Sequence, residues 1–521
     1  MKKIFTIILT IKLSICLSLA QTFQNDYTYS YSSAESGIPT RDGGYALTGS
    51  IPDGNPLTND VVLSKFDSLG NVQWSKYYGG LSDESGIKVR QTNEGGFIIL
   101  GNTTSFGIGN SASNIYLIKT DSLGSVIWSK TFGGTLGETG KDIQMTANNG
   151  YIILGRDESF GGGLYVIKVN QDGVKEWSRC YGLSNTSNLN YPNEIVCTKD
   201  GGYVILDASN YFLKINSSGT IIWTKSLGFS TTNSGYLSSF CELSDSGFAF
   251  TGVIQYSIQP GDEKAILKLD NNGNSLWSIQ CGTNYTEYAN SISETNDRGL
   301  LISGSTNFLS GSGTDNSDLI LVDSIGQLEW NKVYRNSLGS ANYSSFQTRD
   351  LGFMCMGYKF LAGLPIYLNF IKTDNIGNSF CDDTTILISS VNLTPLSSIE
   401  TFLTIIPNDS STSPLSLESV FAFANNPLCT STNTINNHIQ NEVKIFPNPI
   451  VYGSELLNII SEQPLLDSRL EIMDLMGRII YIEKIPVINS IQISLPKISI
   501  GVYYLRIINA KESVTKKIIV D

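Results

Sequence analysis

The chain has 521 residues, room for more than one domain, and its 41% hydrophobic residues are enough to bury a sizeable core. Only 16% of the residues are charged, whereas Gly occurs 49 times and Tyr 25 times, a composition that favours turn-rich β-structure over helices. The net charge of −12 argues against the basic surface that nucleic-acid binding requires, so we expect no nucleic-acid partner.

Residues 1–20 have the pattern of a secretory signal peptide. Lys2 and Lys3 precede a largely apolar stretch, and Ser18-Leu19-Ala20 is a small-x-small cleavage site. Cys16 offers the alternative of a lipoprotein anchor, although its neighbours fit that motif poorly. No later stretch reaches the roughly 18 apolar residues that a membrane span needs, so we expect no transmembrane segment.

Residues 21–381 carry an internal repeat marked by tryptophan. Its six copies of Asp/Asn-x-x-Gly-x-x-x-Trp end at Trp74, Trp128, Trp177, Trp223, Trp277 and Trp330. A seventh copy starts at Asp374 and has Cys381 at the Trp position. A second marker, a glycine turn followed by an aromatic or apolar residue, also occurs seven times, at Tyr45, Phe97, Tyr151, Tyr203, Phe248, Leu300 and Phe353. Matching counts of two markers indicate seven structural repeats.

Each repeat predicts four short strands separated by glycine turns, which is the composition of a propeller blade. The sequence therefore predicts an all-β fold, a seven-bladed β-propeller, with six or eight blades as alternatives. Residues 25–31 resemble a Trp strand without its Trp, so we expect the N-terminus to supply an outer strand of the last blade. The segment 33–38 parallels 82–87, which would align Glu35 with Glu84.

The repeated Trp has two interpretations. The structural one is that each ring packs between adjacent blades. The other is a resemblance: the motif is similar to the repeat of quinoprotein dehydrogenase propellers, which bind pyrroloquinoline quinone beside a catalytic acid and calcium. Nothing beyond the docking turn matches here, so the resemblance implies no cofactor for this chain.

The glycine turns stop after Cys381. Residues 382–442 read as a linker with short β segments, of which 385–393 and 401–406 alternate like strands. Cys381 and Cys429 flank one part of this region. They could form a disulfide, or both could be free thiols. Residues 443–521 predict seven short strands, which suggests a small immunoglobulin-like β-sandwich.

This tail resembles the C-terminal (type A) sorting domain of the type IX secretion system of Bacteroidetes. The resemblance is carried by an ordered series of motifs whose main residues are Pro447, Asn448, Pro449, Gly477, Gly501, Tyr503, Lys516 and Lys517. It implies export to the outer cell surface, handling by the secretion machinery and its sortase-like peptidase, and then release or attachment to lipopolysaccharide. The alternative is an ordinary accessory sandwich module.

The sequence limits the chemistry that the propeller could perform. The chain's one histidine is His438, in the predicted linker, which argues against His-based nucleophilic sites and His-ligated zinc in the propeller. Carboxylates at the start of the blade-opening strands could form a ring at one channel mouth that binds calcium or acts as acid and base. Alternatively, they are ordinary solvated loop carboxylates. They are Asp83, Glu84, Glu138, Glu194 and Glu287.

Two functions remain open from the sequence. The first is a non-catalytic binding or adhesion protein for an extracellular glycan or protein, and the nearly uniform repeats favour it. The second is a carboxylate-based glycosidase or polysaccharide lyase. Loop aromatics could stack on sugars in either case, the candidates being Phe106, Tyr285, Tyr288 and Tyr343.

Overall fold

The computed structural model divides the chain into two compact units, Met1–Thr430 and Ser431–Asp521. Within the described residues all regular structure is β, and no helix is long and apolar enough to cross a membrane. The described ranges are 22–31, 33–52, 58–107, 113–159, 162–183, 191–228, 234–255, 261–283, 285–307, 315–335, 339–360, 366–379, 383–384, 389–392, 396–399, 402–405, 410–412, 417–420, 424–431, 443–446, 456–465, 468–473, 479–485, 488–494, 501–508 and 513–520.

Seven sheets of the first unit form the blades of the predicted propeller. Each blade has four antiparallel strands, which follow one another from the first strand of the sheet outward. Blade 1 is β2 (Ser33–Pro39), β3 (Tyr45–Pro52), β4 (Asn59–Phe66) and β5 (Val72–Gly79); blade 2 is β6 (Glu84–Gln91), β7 (Phe97–Thr103), β8 (Asn114–Thr120) and β9 (Val126–Gly133); blade 3 is β10 (Glu138–Met145), β11 (Tyr151–Asp157), β12 (Gly163–Val169) and β13 (Lys175–Leu183); blade 4 is β14 (Pro192–Cys197), β15 (Tyr203–Asp207), β16 (Tyr211–Ile215) and β17 (Ile221–Gly228); blade 5 is β18 (Ser234–Glu242), β19 (Phe248–Gln255), β20 (Glu263–Leu269) and β21 (Ser275–Gly282); blade 6 is β22 (Glu287–Glu294), β23 (Leu300–Thr306), β24 (Asn316–Val322) and β25 (Leu328–Tyr334); blade 7 is β26 (Gly339–Gln347), β27 (Phe353–Phe360), β28 (Ile366–Lys372) and β1 (Thr22–Tyr31).

The first strands of the seven blades form a closed circle. Each of them, from β2 through β26, contacts the corresponding strand on both sides, and β26 contacts β2. Among the described residues, the buried hydrophobic side chains of the propeller form one cluster at each of the seven interfaces between neighbouring blades. The core is therefore shared between blades, which is why a single repeat could not fold alone.

Both ends of the repeat region meet in blade 7. Strand β1 pairs with β28 in an antiparallel register that places Phe23 opposite Lys372. Gln24 donates a side-chain hydrogen bond of 2.9 Å to the hydroxyl of Ser379, 355 residues later in the chain. The N-terminal segment thus supplies the outer strand that the sequence predicts, and it closes the ring.

The segment that the sequence assigns to a linker places a fifth strand on every blade. Its seven strands follow the circle from blade 6 back to blade 1 and finish on blade 7, each pairing with the outermost strand of that blade. They are β29 (Asp383–Thr384), β30 (Ser389–Asn392), β31 (Leu396–Ile399), β32 (Phe402–Ile405), β33 (Ser410–Thr412), β34 (Leu417–Val420) and β35 (Ala424–Ser431). We call β29–β35 the belt. It covers strand edges that would otherwise be free to pair with other chains.

The Trp of the repeat packs against the next blade, as the structural interpretation predicts. The Trp74 ring lies 5.9 Å from the ring of Phe97, the aromatic marker of blade 2. A Cβ placed on Gly124, in the Asp-x-x-Gly turn of blade 2, would lie 2.8 Å from the Trp74 ring. Both sequence markers are therefore halves of one contact, and glycine is needed because the indole occupies the space of a side chain.

Blade 7 makes the same contact without a tryptophan. Phe23 lies against Gly70 of blade 1, where a Cβ would approach its ring to 2.9 Å. The hydroxyl of Tyr27, four residues further on, donates to the carbonyl of Gly70. Tyr78, at the equivalent position after Trp74, donates a 2.7 Å hydrogen bond to the carbonyl of Gly124. The ring is thus closed by the contact that joins the other blades.

The second unit contains seven strands in two sheets. Buried side chains from both sheets form one hydrophobic core, which includes Ile459, Leu470 and Tyr503. The three-stranded sheet holds β36 (Val443–Phe446), β37 (Leu456–Leu465) and β40 (Ile488–Ser494), and the four-stranded sheet holds β38 (Ser468–Met473), β39 (Ile479–Ile485), β41 (Gly501–Ile508) and β42 (Ser513–Val520). Two sheets around a shared core agree with the predicted strand count, and the immunoglobulin-like arrangement stays a prediction.

Replacing the docking glycine should loosen two blades. We expect Gly124→Ala to lower the free energy of unfolding by about 3 kcal/mol, since the new methyl displaces the Trp74 ring in addition to straining the backbone. Gly95→Ala is the matched control: Gly95 has φ 89° against 80° for Gly124, but nothing lies within 4 Å of its added Cβ. It should cost only about 1–2 kcal/mol. Equal losses in denaturant unfolding would contradict the docking role.

Candidate binding site in the central channel

Each blade has a β-bulge at the same place in its first strand. The extra residue in each register shift is Glu35, Ile87, Lys141, Asn193, Ser238, Asn290 and Tyr343, from blade 1 to blade 7. We call these residues the bulge ring. All seven line one cavity of about 1030 Å³ in the channel between the blades. A bulge directs an extra side chain away from the regular pleat, so the propeller presents one variable residue per blade to the channel.

A glycine on the second strand makes room for the bulge. The residue before the bulge pairs with Gly49 in blade 1, and the residue before the bulge in blade 2 pairs with Gly101. A Cβ on Gly49 would lie 2.2 Å from the carbonyl oxygen of Ser33, so no side chain fits there. Six blades have this glycine four residues after the aromatic or apolar marker, which is a signal for the bulge that the repeat motifs alone do not reveal.

The bulges also correct one alignment made from the sequence. The parallel between 33–38 and 82–87 aligns Glu35 with Glu84, but the register places Glu35 with Ile87. The motifs look alike because both contain Glu-Ser-Gly, whereas the pairing with the second strand fixes the equivalent positions. Glu35 therefore lines the channel, and Glu84 does not.

Several polar side chains that line the channel hold neighbouring blades together. The Asn193 side-chain amide donates to the carbonyl oxygens of Leu237 and Ser238 in blade 5, at 3.0 and 3.1 Å. Asn290 of blade 6 donates in the same way to the carbonyl of Asn342 in blade 7, at 3.0 Å. These members of the bulge ring are fixed in place by backbone contacts.

A chain of charged contacts runs across blades 2 to 5. Arg90 donates to Asp142 of blade 3 at 3.2 Å, and Asp142 accepts from the backbone N–H of Ile195 in blade 4 at 3.0 Å. Glu194 then accepts from the N–H of Phe240 in blade 5 at 2.8 Å. Burial raises the pKa of Glu194, and the nearby Asp142 carboxylate raises it further. Of the five carboxylates proposed from the sequence, only Glu194 lines the cavity.

The other predicted carboxylates do not form a ring at the channel mouth. Glu84 is 2% exposed and accepts hydrogen bonds from Gly80 N–H and the Thr103 hydroxyl. Glu138, fully buried, accepts from Gly134 N–H at 2.7 Å. Both carboxylates fasten loops to strands, and the exposed Asp83 accepts from Asn59 N–H. Neither alternative raised from the sequence describes Glu84 and Glu138, which are buried structural carboxylates, whereas Asp83 is an exposed one.

Glu287 belongs to a buried ionic group between blades 5 and 6. The Lys264 ammonium forms an ion pair with Asp318 and lies 3.9 Å from the Glu287 carboxylate. Burial raises the pKa of Glu287 to about 7; Lys264 opposes this shift and Asp318 adds to it. Within the described ranges, no three His, Cys, Asp or Glu side chains are grouped so that they could hold a metal ion.

The aromatic residues proposed for sugar stacking occupy different environments. Tyr343 lines the cavity and stacks on Tyr358, with ring centroids 4.9 Å apart. Phe106 instead packs on Tyr116 at 5.6 Å, next to the core between blades 1 and 2. Tyr285 and Tyr288 are not part of the cavity wall. The cavity wall also contains three aromatics that the sequence did not single out, Tyr191, Tyr236 and Phe346.

Some residues singled out in the sequence lie outside the described part of the chain. They are the signal peptide, Cys381, His438 and the motif residues Pro447, Asn448, Pro449 and Gly477. Gly501 opens β41, while Lys516 and Lys517 lie in β42. Cys429 lies in β35, and the signal peptide and the Cys381–Cys429 disulfide stay predictions.

The raised pKa of Glu287 predicts a pH dependence of stability. Because its folded-state pKa of about 7 exceeds the ordinary 4.5, this group's stabilisation is complete below pH 4.5 and is lost as the pH rises through 7. The loss should be on the order of 3 kcal/mol. Glu287→Gln should flatten the dependence in urea unfolding between pH 5 and 8, whereas Glu35→Gln, which removes an exposed charge, should not. Identical pH profiles for wild type and Glu287→Gln would contradict the assignment.

Comparisons with known proteins identify the tail. Residues 444–521 match the family described as the secretion system C-terminal sorting domain. No curated protein matches the chain. The solved structures that resemble it include PorZ, a surface component of the type IX secretion system of Porphyromonas gingivalis, at 9% identity and a TM-score of 0.33, covering 94% of this chain and 75% of that one.

Two further structures are similar to parts of the chain. A protein from Dyadobacter fermentans is 12% identical with a TM-score of 0.38, covering 55% of this chain and 93% of that one. A protein from Bacteroides caccae is 10% identical with a TM-score of 0.32, covering 50% and 94%. The fold is defined by the seven blade sheets and the closed circle of their first strands. The chain is a seven-bladed β-propeller with a type IX sorting domain at residues 444–521, and it is exported to the outer cell surface.

Proposed function

We propose that the exported propeller is a non-catalytic binding or adhesion protein that holds an extracellular glycan or protein in its central channel. The observation that carries this proposal is the bulge ring, in which one backbone position has a different residue type in nearly every blade, Asn alone occurring twice. A regular frame with a variable inner surface is suited to recognition, because side chains can change without disturbing the docking contacts.

The alternative is a carboxylate-based enzyme acting on a polysaccharide, and Glu194 is the observation in its favour. A channel-lining carboxyl whose pKa is raised could serve as a general acid. Its carboxylate already accepts a hydrogen bond from Phe240 N–H, which favours a structural role. Glu84 and Glu138 are likewise engaged in hydrogen bonds outside the cavity wall, so they offer no partner for it.

Binding and turnover can be separated directly. On a glycan array we expect the mature protein to retain a defined set of sugars. The retained sugar should be recovered intact, with no new reducing or unsaturated ends, because the proposed function breaks no bond. New ends that disappear in Glu194→Gln would overturn the binding-only function and establish the enzyme.

The sorting domain carries a separate proposal about partners. We infer that the type IX machinery recognises the second unit, that a sortase-like peptidase removes it, and that the propeller is then released or joined to lipopolysaccharide. The division of the chain between Thr430 and Ser431 supports removal of the tail without loss of the belt, whose last strand ends at Ser431.

Deleting residues 443–521 should stop export at the periplasm. The deletion removes all seven strands of the second unit and leaves every strand of the propeller and belt. The measurement is the fraction of protein that protease digests on intact cells, with the full-length chain as the control. A truncated chain displayed on the surface like the full-length one would refute the sorting role of the tail.

A further inference from the structure

We infer that the channel binds an acidic sugar, whose carboxylate or sulfate group is held by Lys88, Lys141 and Arg156 while its ring lies against tyrosine. This inference rests on the proposed binding function and assigns its ligand class. The three cations lie on two adjacent blades, Lys88 on β6 of blade 2 and the other two on β10 and β11 of blade 3, and all three line the same cavity.

The lysines are available to a ligand. Lys141 is exposed on the bulge of β10. Lys88 is half-buried and interacts electrostatically with the Glu194 carboxylate, which also lines the cavity. The protein as a whole carries a net charge of −12, whereas two lysines and an arginine line the channel on blades 2 and 3, so the sign of the charge is reversed locally. Such a reversal in a concave site attracts anions and concentrates them there.

Arg156 adds a cation that is already oriented. It pairs with Thr139 across β10 and β11, and its guanidinium lies 4.4 Å from the centre of the Tyr191 ring in blade 4. Its Nε is buried without a hydrogen-bond partner among the described residues, whereas one terminal nitrogen lies 3.5 Å from Glu158. A planar guanidinium held by an aromatic ring is well suited to two-point contact with a carboxylate or sulfate.

The aromatic side chains give the site its preference for sugar. Tyr191 is 49% exposed although Arg156 covers part of it, and Tyr343 is 38% exposed on its bulge. Tyr236 also lines the cavity. It belongs to blade 5, which comes between the blade of Tyr191 and the blade of Tyr343 around the ring. Flat apolar ring faces next to hydrogen-bonding groups bind the faces of pyranose rings, whereas a simple inorganic anion would use only the cations.

The carboxylates near the site do not cancel its charge. Asp142 is neutralised by Arg90 and by a backbone N–H, and Glu158 is shared with Arg156. Glu194, on blade 4, accepts a hydrogen bond from Phe240 N–H at 2.8 Å and interacts with the charge of Lys88. Glu35 is the exposed carboxylate of the cavity wall, and it lies on blade 1, adjacent to the blade of Lys88. The cationic groups therefore dominate on blades 2 and 3.

Calorimetry with the mature protein tests the inference. The probes are oligogalacturonate (carboxylate), a chondroitin sulfate oligosaccharide (sulfate), a neutral cello-oligosaccharide of equal length and a glutamate peptide of equal charge. We expect at least one acidic sugar to bind at least tenfold more tightly than the neutral sugar and the peptide, and to weaken as salt increases. The comparison of the first two probes identifies the anionic group.

Two variants locate the binding. Lys141→Gln and Lys88→Gln should each lower the affinity for the acidic sugar about tenfold, since each removes one charged contact. Arg349→Gln removes an equal charge from the exposed turn between β26 and β27, outside this cavity, and should leave the affinity within about twofold. Unchanged thermal unfolding of Lys141→Gln will show that the exposed bulge tolerates the change.

The outcomes separate this inference from the proposed function. Failure of both acidic sugars to bind, equal affinity for the glutamate peptide, or equal effects of Lys141→Gln and Arg349→Gln would each overturn the acidic-sugar site. A neutral glycan that binds independently of Lys141 would also overturn it, while the binding function would stand. Cleavage of the bound sugar would instead overturn the proposed non-catalytic function.

Discussion

The contact between an aromatic ring and a turn glycine of the next blade is the constraint on which the propeller depends. Each blade has two apolar faces, and neither can be buried except against a neighbour. The Trp74 ring meets Gly124 and Phe97, and the contact between Phe23 and Gly70 closes the circle in the same way. Because the joint is made of a ring and a glycine, its geometry repeats even when the surrounding side chains differ.

This constraint explains why the sequence predicts all seven blades, whereas of the belt it predicts only the strand segments 385–393 and 401–406, which contain β30 and β32. The docking residues are local and periodic, so Trp128 or Gly173 can be recognised at a fixed spacing. The belt strands, by contrast, pair through backbone groups with edges formed by distant residues, as Phe402–Ile405 does with β13. Backbone pairing makes little demand on side-chain identity, so it leaves no repeated motif.

The channel could be predicted only in part, for a related physical reason. Glu84 and Glu138 recur at similar places in the repeat because each accepts a hydrogen bond from a glycine N–H in the loop before its strand. The same hydrogen bonds keep both carboxylates away from the channel surface. The residues that do face the channel, such as Lys141 and Tyr343, share a backbone position and no chemistry. Variation among repeats is therefore the signal of the recognition surface, and it becomes readable only once the register is known.

The belt and the bulges have opposite effects on the hydrogen bonding of each blade: the belt adds backbone pairs at the outer edge, and the bulge removes one at the inner strand. The outer edge is covered by a fifth strand on every blade, which resists opening of the ring, whereas the inner strand is interrupted by one extra residue per blade. An interrupted strand is weaker along its ladder, and glycines such as Gly49 and Gly155 permit the interruption at a further cost in backbone entropy. A propeller with reinforced outer edges can tolerate that loss at the centre. The paired outer edges and the hydrogen bonds of Asn193 and Asn290 to the next blade thus hold the seven side chains of the bulge ring in place around one cavity.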